Sequence, residues 1–179
     1  MANYIASRLD APQIISNYCE NKETVFQCGG NVGVYPKLLS KIFQKVITCE
    51  PESLNFECLL LNCPENNITK LNVALGADNK MVSLRFDENN CGGHGVIESH
   101  GNIKMITIDS LNLDSLDLLM IDVEGFEIEL LKGAIETIKK FHPIICSEVA
   151  WSNCSDFLST LGYDKIGEND VDWIFKYNG

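Results

Sequence analysis

The sequence is short of positive charge. It contains 14 lysines and arginines against 25 aspartates and glutamates, which gives a formal net charge of -11 and a pI near 4.6. A phosphate backbone that approached such a chain would meet a repulsive field over most of the surface. DNA and RNA are therefore not expected partners.

No long hydrophobic run is present either, although hydrophobic residues make up 45% of the chain. A membrane-spanning helix needs about 20 consecutive apolar residues, so no membrane span is predicted. The opening segment, MANYIASRLDAP, lacks the charged region followed by an apolar region that marks a secretory signal. We therefore expect a cytoplasmic protein with reduced thiols.

The eight cysteines include no C-x-x-C pair, a spacing typical of zinc sites and redox-active disulfides. The one metal-like grouping is Cys91, His94 and His100, and it has no evident fourth ligand. No metal site is predicted on this basis. A divalent cation held by Asp122, Glu124 and a substrate hydroxyl remains an open alternative.

Short β-rich runs alternate with stretches of helical periodicity from Thr24 to about Phe157. This alternation predicts an α/β fold with a largely parallel sheet. A chain of this length can bury one sizeable core, so we expect a single domain over 1–179, in which residues 1–23 form a helical extension. Oligomeric state is left open, and a homo-oligomer is compatible with the sequence.

The predicted strands are short and apolar, and they cover 24–28, 45–50, 68–75, 81–87, 103–109, 116–123 and 144–149. Two more, 163–166 and 171–177, are separated by only four residues, so they can pair only in the antiparallel sense. The helix predicted over 53–62 carries Leu54, Cys58 and Leu61 on one face.

A glycine-rich turn follows the first predicted strand. The segment VFQCGGNVGVY places glycines at 29, 30 and 33, where side chains would block a ligand that lies against the peptide edges. Glu50 ends the second strand, about 20 residues further on, where a carboxylate can accept hydrogen bonds from both hydroxyls of an adenosine ribose. A tight structural turn and an exposed strand-end carboxylate are the alternative interpretations.

Five successive segments resemble the signatures of the FkbM family of methyltransferases. They are VFQCGGNVGVY, CEPESLNFECLLLN, NVALG, LLMIDVEGFEIELLKGA and PIICSEV. The resemblance extends from about Thr24 to Glu148. It implies a Rossmann-like class I methyltransferase fold, with a mostly parallel seven-stranded sheet, a C-terminal antiparallel hairpin and helices on both faces. It further implies S-adenosylmethionine as the cofactor and a sugar, glycan or other small hydroxylated molecule as the acceptor.

The resemblance also implies site residues. Glycines and Asn31 would line the methionine end of the cofactor, Glu50 would hold the ribose, and residues 72–74 would lie near the adenine. The complete set of predicted cofactor-binding residues is Gln27, Cys28, Gly29, Gly30, Asn31, Gly33, Tyr35, Glu50, Pro51, Asn72, Val73, Ala74 and Asp122.

Gln27 departs from the family pattern. The family usually has an acidic residue at this position, where it helps to hold the charged amine of the cofactor. A glutamine carbonyl can accept a hydrogen bond but has no charge. The departure predicts weaker cofactor affinity, a replacement carboxylate such as Asp122, or a loss of activity.

Methyl transfer to a hydroxyl needs an aligned nucleophile and a base that removes its proton. The candidate bases are Asp122, Glu124, Glu148 and His94, because the carboxylates follow buried strands and the histidine lies in the CGGHG loop. Each also has a structural interpretation: Glu124 as a helix cap, Glu148 in a structural pair, and His94 as an exposed loop residue.

Two other functions share the glycine turn. A nicotinamide-dependent oxidoreductase would use the same turn and ribose acid, but the third fingerprint glycine is out of step and no separate substrate domain remains. A non-catalytic protein that binds S-adenosylmethionine or S-adenosylhomocysteine is the other alternative, and Gln27 is the residue that suggests it.

Overall fold

The computed structural model describes residues 2–86, 93–97, 101–148 and 154–179, with side chains described from residue 9 onward. The strands in these ranges are β1 (Thr24–Cys28), β2 (Lys45–Cys49), β3 (Ile68–Leu71), β4 (Ala74–Leu75), β5 (Lys80–Arg85), β6 (Gly95–Ile97), β7 (Ile103–Ile106), β8 (Leu118–Ile121), β9 (Ile144–Glu148), β10 (Tyr163–Asn169) and β11 (Asp172–Tyr177). The helices are α1 (Ala2–Ser16), α2 (Val34–Leu39), α3 (Ser53–Asn62), α4 (Glu127–Lys132), α5 (Ile135–Phe141) and α6 (Ser155–Thr160).

A seven-stranded sheet forms the centre of the described chain, in the order β10-β11-β9-β8-β1-β2-β3. The five strands from β3 to β9 in this order are parallel, whereas β11 is antiparallel to both β9 and β10. The predicted seven-stranded sheet and its C-terminal antiparallel hairpin are confirmed.

Both faces of the main sheet are buried, as expected for parallel strands covered by helices. Along β1, Phe26 packs in an apolar cluster that includes residues of α4 and α5, and Val25 packs in another that includes Ala11 and Ile15 of α1. All five residues of β1 are buried. The alternation of side chains along the strand therefore supplies two cores, one for each layer of helices.

The predicted strand over 68–75 is wrong in its continuity. β3 ends at Leu71, and the chain resumes as β4 at Ala74 in a second sheet of order β4-β7-β5-β6. Between them, the Asn72 side chain donates a hydrogen bond to the backbone oxygen of Glu50 at 2.8 Å. This bond occurs where β3 leaves the main sheet and the chain turns into the smaller one.

The apolar face predicted for α3 is not its buried face. Leu54 and Leu61 are 66% and 82% exposed, whereas Leu59 is fully buried and Asn55 is 6% exposed. Leu59 packs against Gly30, where an added Cβ would lie 2.7 Å from the leucine Cδ1. Close approach of the helix to the glycine turn therefore selects the buried face.

The helical segment after β8 is divided into α4 and α5. The break falls at Gly133, whose N–H donates to the carbonyl groups of Glu129 and Leu130. A Cβ at Gly133 would collide with the backbone oxygen of Gly76, so this close approach requires glycine. None of the helices in the described part of the chain has the length and apolar content needed to cross a bilayer.

Candidate active site

A cavity of about 230 Å³ lies at the carboxyl ends of β1, β2 and β8, the edge where ligands bind in open α/β sheets. The smaller sheet supplies the opposite wall. The residues around the cavity are Gly29, Asn31, Cys49, Glu50, Pro51, Asn55, Val73, Ala74, Leu75, His94, Val96, Asp122, Val123 and Glu124. The fold thus brings the predicted ribose acid and three of the four predicted bases, Asp122, Glu124 and His94, to one space.

The glycine turn is closely packed against neighbouring backbone. Gly29 has φ +90°, and a Cβ on it would collide with the backbone oxygen of Asp122. At Gly30, an added Cβ would lie 2.7 Å from Thr48 Oγ1. The N–H groups of both glycines donate to the carbonyl of Cys49. The absence of side chains is therefore a steric requirement of this turn.

A smaller lobe of about 160 Å³ shares Gly29, Asn31 and Asp122 with the main cavity, and Gln27 and Tyr35 also border it. Asn31 has left-handed backbone with φ +44°. Its side-chain Oδ1 is buried and has no hydrogen-bond partner in the described chain. This acceptor fits a ligand that brings a donor group, such as the amine of an amino acid.

Glu50 is 6% exposed and is held from two sides. Its Oε2 accepts a hydrogen bond from the N–H of Asn31 at 2.8 Å, and its Oε1 accepts one from the N–H of Glu52 at 2.9 Å. Burial raises the pKa of Glu50, while these two N–H groups oppose the rise. A side-chain hydrogen bond with Asn55 acts in the same direction as the two N–H groups, and the remaining acceptor capacity of the carboxylate could accept a ribose hydroxyl.

Gln27 is part of a neutral hydrogen-bond chain beneath the turn. Its Oε1 accepts a bond from the Thr48 hydroxyl at 2.6 Å, and its Nε2 donates to the carbonyl of Gly29 at 2.7 Å. The side chain is 2% exposed. A carboxylate here would have no N–H to give Gly29, which accounts physically for the amide at this position.

Three carboxylates converge at the reaction end of the cavity. Oxygens of Asp122, Glu124 and Glu148 all lie within 4.8 Å of one another. Such a group could hold a hard divalent cation, which prefers oxygen ligands, or it could retain a proton between two of its members. The same closeness makes it a concentrated region of negative charge.

The electrostatics of Asp122 favour proton retention. Burial raises its pKa to about 8, and the nearby charges of Glu148, Glu124 and Asp172 add to the rise. A hydrogen bond with Glu148 acts in the same direction. At neutral pH Asp122 is therefore mostly protonated.

The turn that carries Glu124 is fixed by a residue outside the cavity. Glu124 and Gly125 both have left-handed backbone, with φ +53° and +96°. The carboxylate of Glu127, which is fully buried, accepts a hydrogen bond from the N–H of Gly125 at 2.9 Å. The N-cap residue of α4 is Phe126, whose side chain makes no capping hydrogen bond, and the capping role suggested for Glu124 stays a prediction.

His94 borders the cavity at the start of β6. Its ring meets the ring of Phe86 edge to face, with centroids 5.0 Å apart. The loop histidine is thus within the same site as the carboxylates. Cys91 and His100, the other members of the metal-like grouping, lie outside the described residues.

Some predicted cofactor residues do not border either lobe. The Cys28 side chain is fully buried in the core, and only its backbone oxygen reaches the site, where it accepts from the N–H of Asp122 at 3.1 Å. Gly33 packs against Cys63. Asn72 is exposed and bonds to backbone near Glu50. The other predicted cofactor residues border the cavity or its smaller lobe, and their roles in cofactor binding stay predictions.

Sequence reasoning missed several residues of the site. Asn55 borders the cavity from α3, and its burial in a helix of leucines was a usable signal. Asp172 faces Glu148 in the register of β11 and β9, and it is 5% exposed. An aspartate at the start of the apolar run DWIFKY was the corresponding signal. Leu75 and Val96 carried none, because apolar residues in short strands are ordinary core residues.

Comparison with known protein families identifies the chain. The family model described as the methyltransferase FkbM domain matches residues 27–164. The chain belongs to the FkbM methyltransferase family. The family prediction is thereby confirmed, and with it the assignment of S-adenosylmethionine as the cofactor. No curated protein sequence matches significantly.

Solved structures show the same fold. FkbM methyltransferase from Methylobacillus flagellatus KT superposes with a TM-score of 0.57 at 19% identity, over 87% of this chain and 44% of that one. TrmK from M. capricolum, solved with S-adenosylhomocysteine, superposes with a TM-score of 0.51 at 14% identity, over 93% of this chain and 66% of that one. A putative S-adenosylmethionine-dependent methyltransferase from Methanococcus maripaludis superposes with a TM-score of 0.56 at 12% identity, over 97% of this chain and 86% of that one. This FkbM chain therefore spans less than half of its Methylobacillus relative.

Proposed function

We propose that this chain transfers the methyl group of S-adenosylmethionine to a hydroxyl group of a small molecule or glycan. The observation that carries the proposal is the continuity of one cavity from Glu50 to Asp122 and Glu124, past the glycine turn. The predicted ribose acid and the predicted bases thus border one continuous cavity. The acceptor, the O-methylation and the site roles belong to the proposal.

In this proposal the cofactor is held by its two polar ends. The Glu50 carboxylate accepts from the ribose hydroxyls, and Val73 and Ala74 provide apolar contact for the adenine. Asn31 Oδ1, which has no partner in the described chain, accepts from the amine of the methionine part. Gly29 borders the cavity and its smaller lobe beside Asn31.

When bound, the cofactor supplies an electrophilic methyl group on its sulfonium, so the protein must align the acceptor and take its proton. Asp122 is the proposed base. Because its pKa is about 8, its ionised form attracts a proton more strongly than an ordinary aspartate and is still populated near neutral pH. Glu148 is hydrogen-bonded to Asp122, and Glu124 and His94 border the space for the acceptor.

Calorimetric titration of the purified protein with S-adenosylmethionine, S-adenosylhomocysteine and NAD tests the cofactor part. We expect the adenosyl ligands to bind to the wild type and to Glu57→Gln, a control at an exposed site on α3. Glu50→Gln should weaken them by about 30-fold, which corresponds to about 2 kcal/mol for lost hydrogen bonds to a charged group.

Binding of NAD alone would overturn the proposal. If both adenosyl ligands bind, the next measurement is release of S-adenosylhomocysteine with hydroxyl-containing acceptors and with matched amines. Turnover on hydroxyl acceptors supports O-methylation, whereas turnover on amines alone contradicts it. Binding without turnover on any acceptor would favour the non-catalytic alternative suggested by Gln27.

A further inference from the structure

A groove of about 300 Å³ lies beside the candidate active site, between β6 and the turn before α4. Its walls include Arg85, Ile97 and Phe126. Val96 and Glu124 border both this groove and the main cavity. A molecule bound at Arg85 can therefore extend past Glu124 and Val96 into the main cavity.

Arg85 is an unusual residue in this chain. The sequence has only two arginines, Arg8 and Arg85, and carries a net charge of -11. Nevertheless, within the described ranges no carboxylate forms an ion pair with the Arg85 guanidinium. The five N–H donors of a guanidinium match a carboxylate or phosphate group in planar, paired geometry.

The backbone around Arg85 is shaped to admit its head group. Arg85 pairs with Gly95 in the register of β5 and β6. A Cβ on Gly95 would lie 3.2 Å from Arg85 Nη2 and 3.4 Å from the backbone oxygen of Glu124. Glycine at 95 thus lets the guanidinium and the Glu124 turn come together at one end of the groove.

Phe126 supplies an apolar wall of the groove. The ring is partly buried against a small cluster formed by Ala74, Val82 and Met105. An aromatic face that is fixed by packing beneath it is suited to stack on a planar or apolar group. The groove therefore offers one cation and one aromatic surface, the combination that recognises an organic anion.

We propose that this groove binds the acceptor by an anionic group, a carboxylate or a phosphate, held by Arg85, with the adjoining apolar part against Phe126. The proposal rests on the proposed methyl transfer and adds the class of acceptor. The negative charge of the carboxylate cluster in the main cavity would repel an anion there. The two ends of the site therefore fix one orientation, in which the reacting hydroxyl faces the carboxylates.

Nuclear magnetic resonance can test this directly, because two arginines give at most two Nε–H peaks. The Arg85 peak is assigned by its loss in Arg85→Gln, and the Arg8 peak serves as an internal reference. The probes are benzoate and its neutral isostere benzamide. We expect benzoate to shift the Arg85 peak in a saturable manner. Its dissociation constant should be at least about tenfold lower than that of benzamide and should rise at high salt.

Two variants sharpen the test. Lys104→Gln removes an exposed cation from β7 of the same sheet and should leave the benzoate titration unchanged. Phe126→Leu should weaken benzoate but leave the response to inorganic phosphate, which needs only Arg85. Thermal unfolding of each variant confirms that it is folded.

Equal responses to benzoate and benzamide, or equal shifts of both arginine peaks, would overturn the inference, since these indicate non-specific contact. S-adenosylhomocysteine binding to the wild type is measured in the same buffer. If it binds while benzoate leaves the Arg85 peak unmoved, the anion groove is wrong and the proposed function stands. If it fails to bind while the Arg85 peak responds, the groove stands and the proposed function is wrong.

Discussion

On the side of β1 and β2 the candidate site is built from backbone, whereas on the side of β8 and β9 it is built from carboxylates. The glycine turn, Asn31 and Glu50 are joined by hydrogen bonds to peptide groups. Asp122, in contrast, retains a proton in the midst of like charges.

The difference separates two physical tasks. A cofactor that is the same in every turnover can be held by fixed peptide groups and an acid that is already oriented. Proton removal needs groups whose charge changes during the reaction. Repulsion between neighbouring carboxylates raises a pKa toward the range in which this change can occur. The first side should therefore be sensitive to shape, and the second to pH.

Gly29→Ala should have the largest effect on the backbone-built side. The new Cβ would collide with the Asp122 carbonyl, and φ +90° is unfavourable for alanine. We expect a loss of about 3 kcal/mol or more in the free energy of unfolding, measured by denaturant titration.

The matched control for this change is Gly162→Ala. Gly162 also has positive φ, at +82°, but its Cβ would meet the movable ring of Tyr177 instead of backbone. The loss in the free energy of unfolding should be smaller for Gly162→Ala, about 1–2 kcal/mol. Equal losses for the two variants would show that backbone conformation, and not the close approach of Gly29 to Asp122, determines the effect.

Asp122→Asn should reveal the strain on the carboxylate side. Because the folded pKa of about 8 lies above the ordinary value, Asp122 contributes stability that is full below about pH 4 and is lost as pH rises toward 8. The asparagine variant has no proton to lose. The free energy of unfolding of the variant should therefore exceed that of the wild type by about 2 kcal/mol at pH 8. At pH 4 the two values should be similar.

Measurement of unfolding free energy across this pH range checks the prediction. Asp114→Asn, at an exposed aspartate, should follow the wild-type pH dependence. A parallel pH dependence of Asp122→Asn and the wild type would contradict the raised pKa. The same variant should lose methyl transfer, since its amide cannot accept the hydroxyl proton.

Gln27→Glu tests the boundary between the two sides, and its effect should be the smallest. It restores the acidic residue usual in the family but removes the N–H that bonds to the Gly29 carbonyl. We expect a loss of about 1 kcal/mol at pH 7. The loss should shrink near pH 5, because a protonated carboxyl can donate to that carbonyl. Gln44→Glu, at an exposed position, is the control.

Much of the backbone-built side could be predicted from sequence because its signals are local. Glycines between a buried strand and a helix, followed by an acid at the next strand end, describe the turn and Glu50 directly. The short apolar runs of β1 and β8, which are buried along their whole length, also predict the sheet. Such features depend on neighbours that are near in the chain or on the adjacent strand.

The other side could be predicted only in part, because it is assembled from distant segments. Asp172 reaches Asp122 through the antiparallel pairing of β11, and Arg85 reaches Glu124 through the smaller sheet. The exposure of the α3 leucines likewise depends on a contact with a segment distant in the chain. Helical periodicity identifies an apolar face, but contact with Gly30 decides which face is buried.

The separation of β3 from β4 has a mechanical consequence. Only Asn72 and Val73 join the main sheet to the smaller one at this point, and Asn72 is tied to the backbone beside the ribose acid. The smaller sheet carries Ala74 and Val96, and both residues border the cavity. Any change in the angle between the two sheets would therefore alter the width of the cavity beside both residues at once.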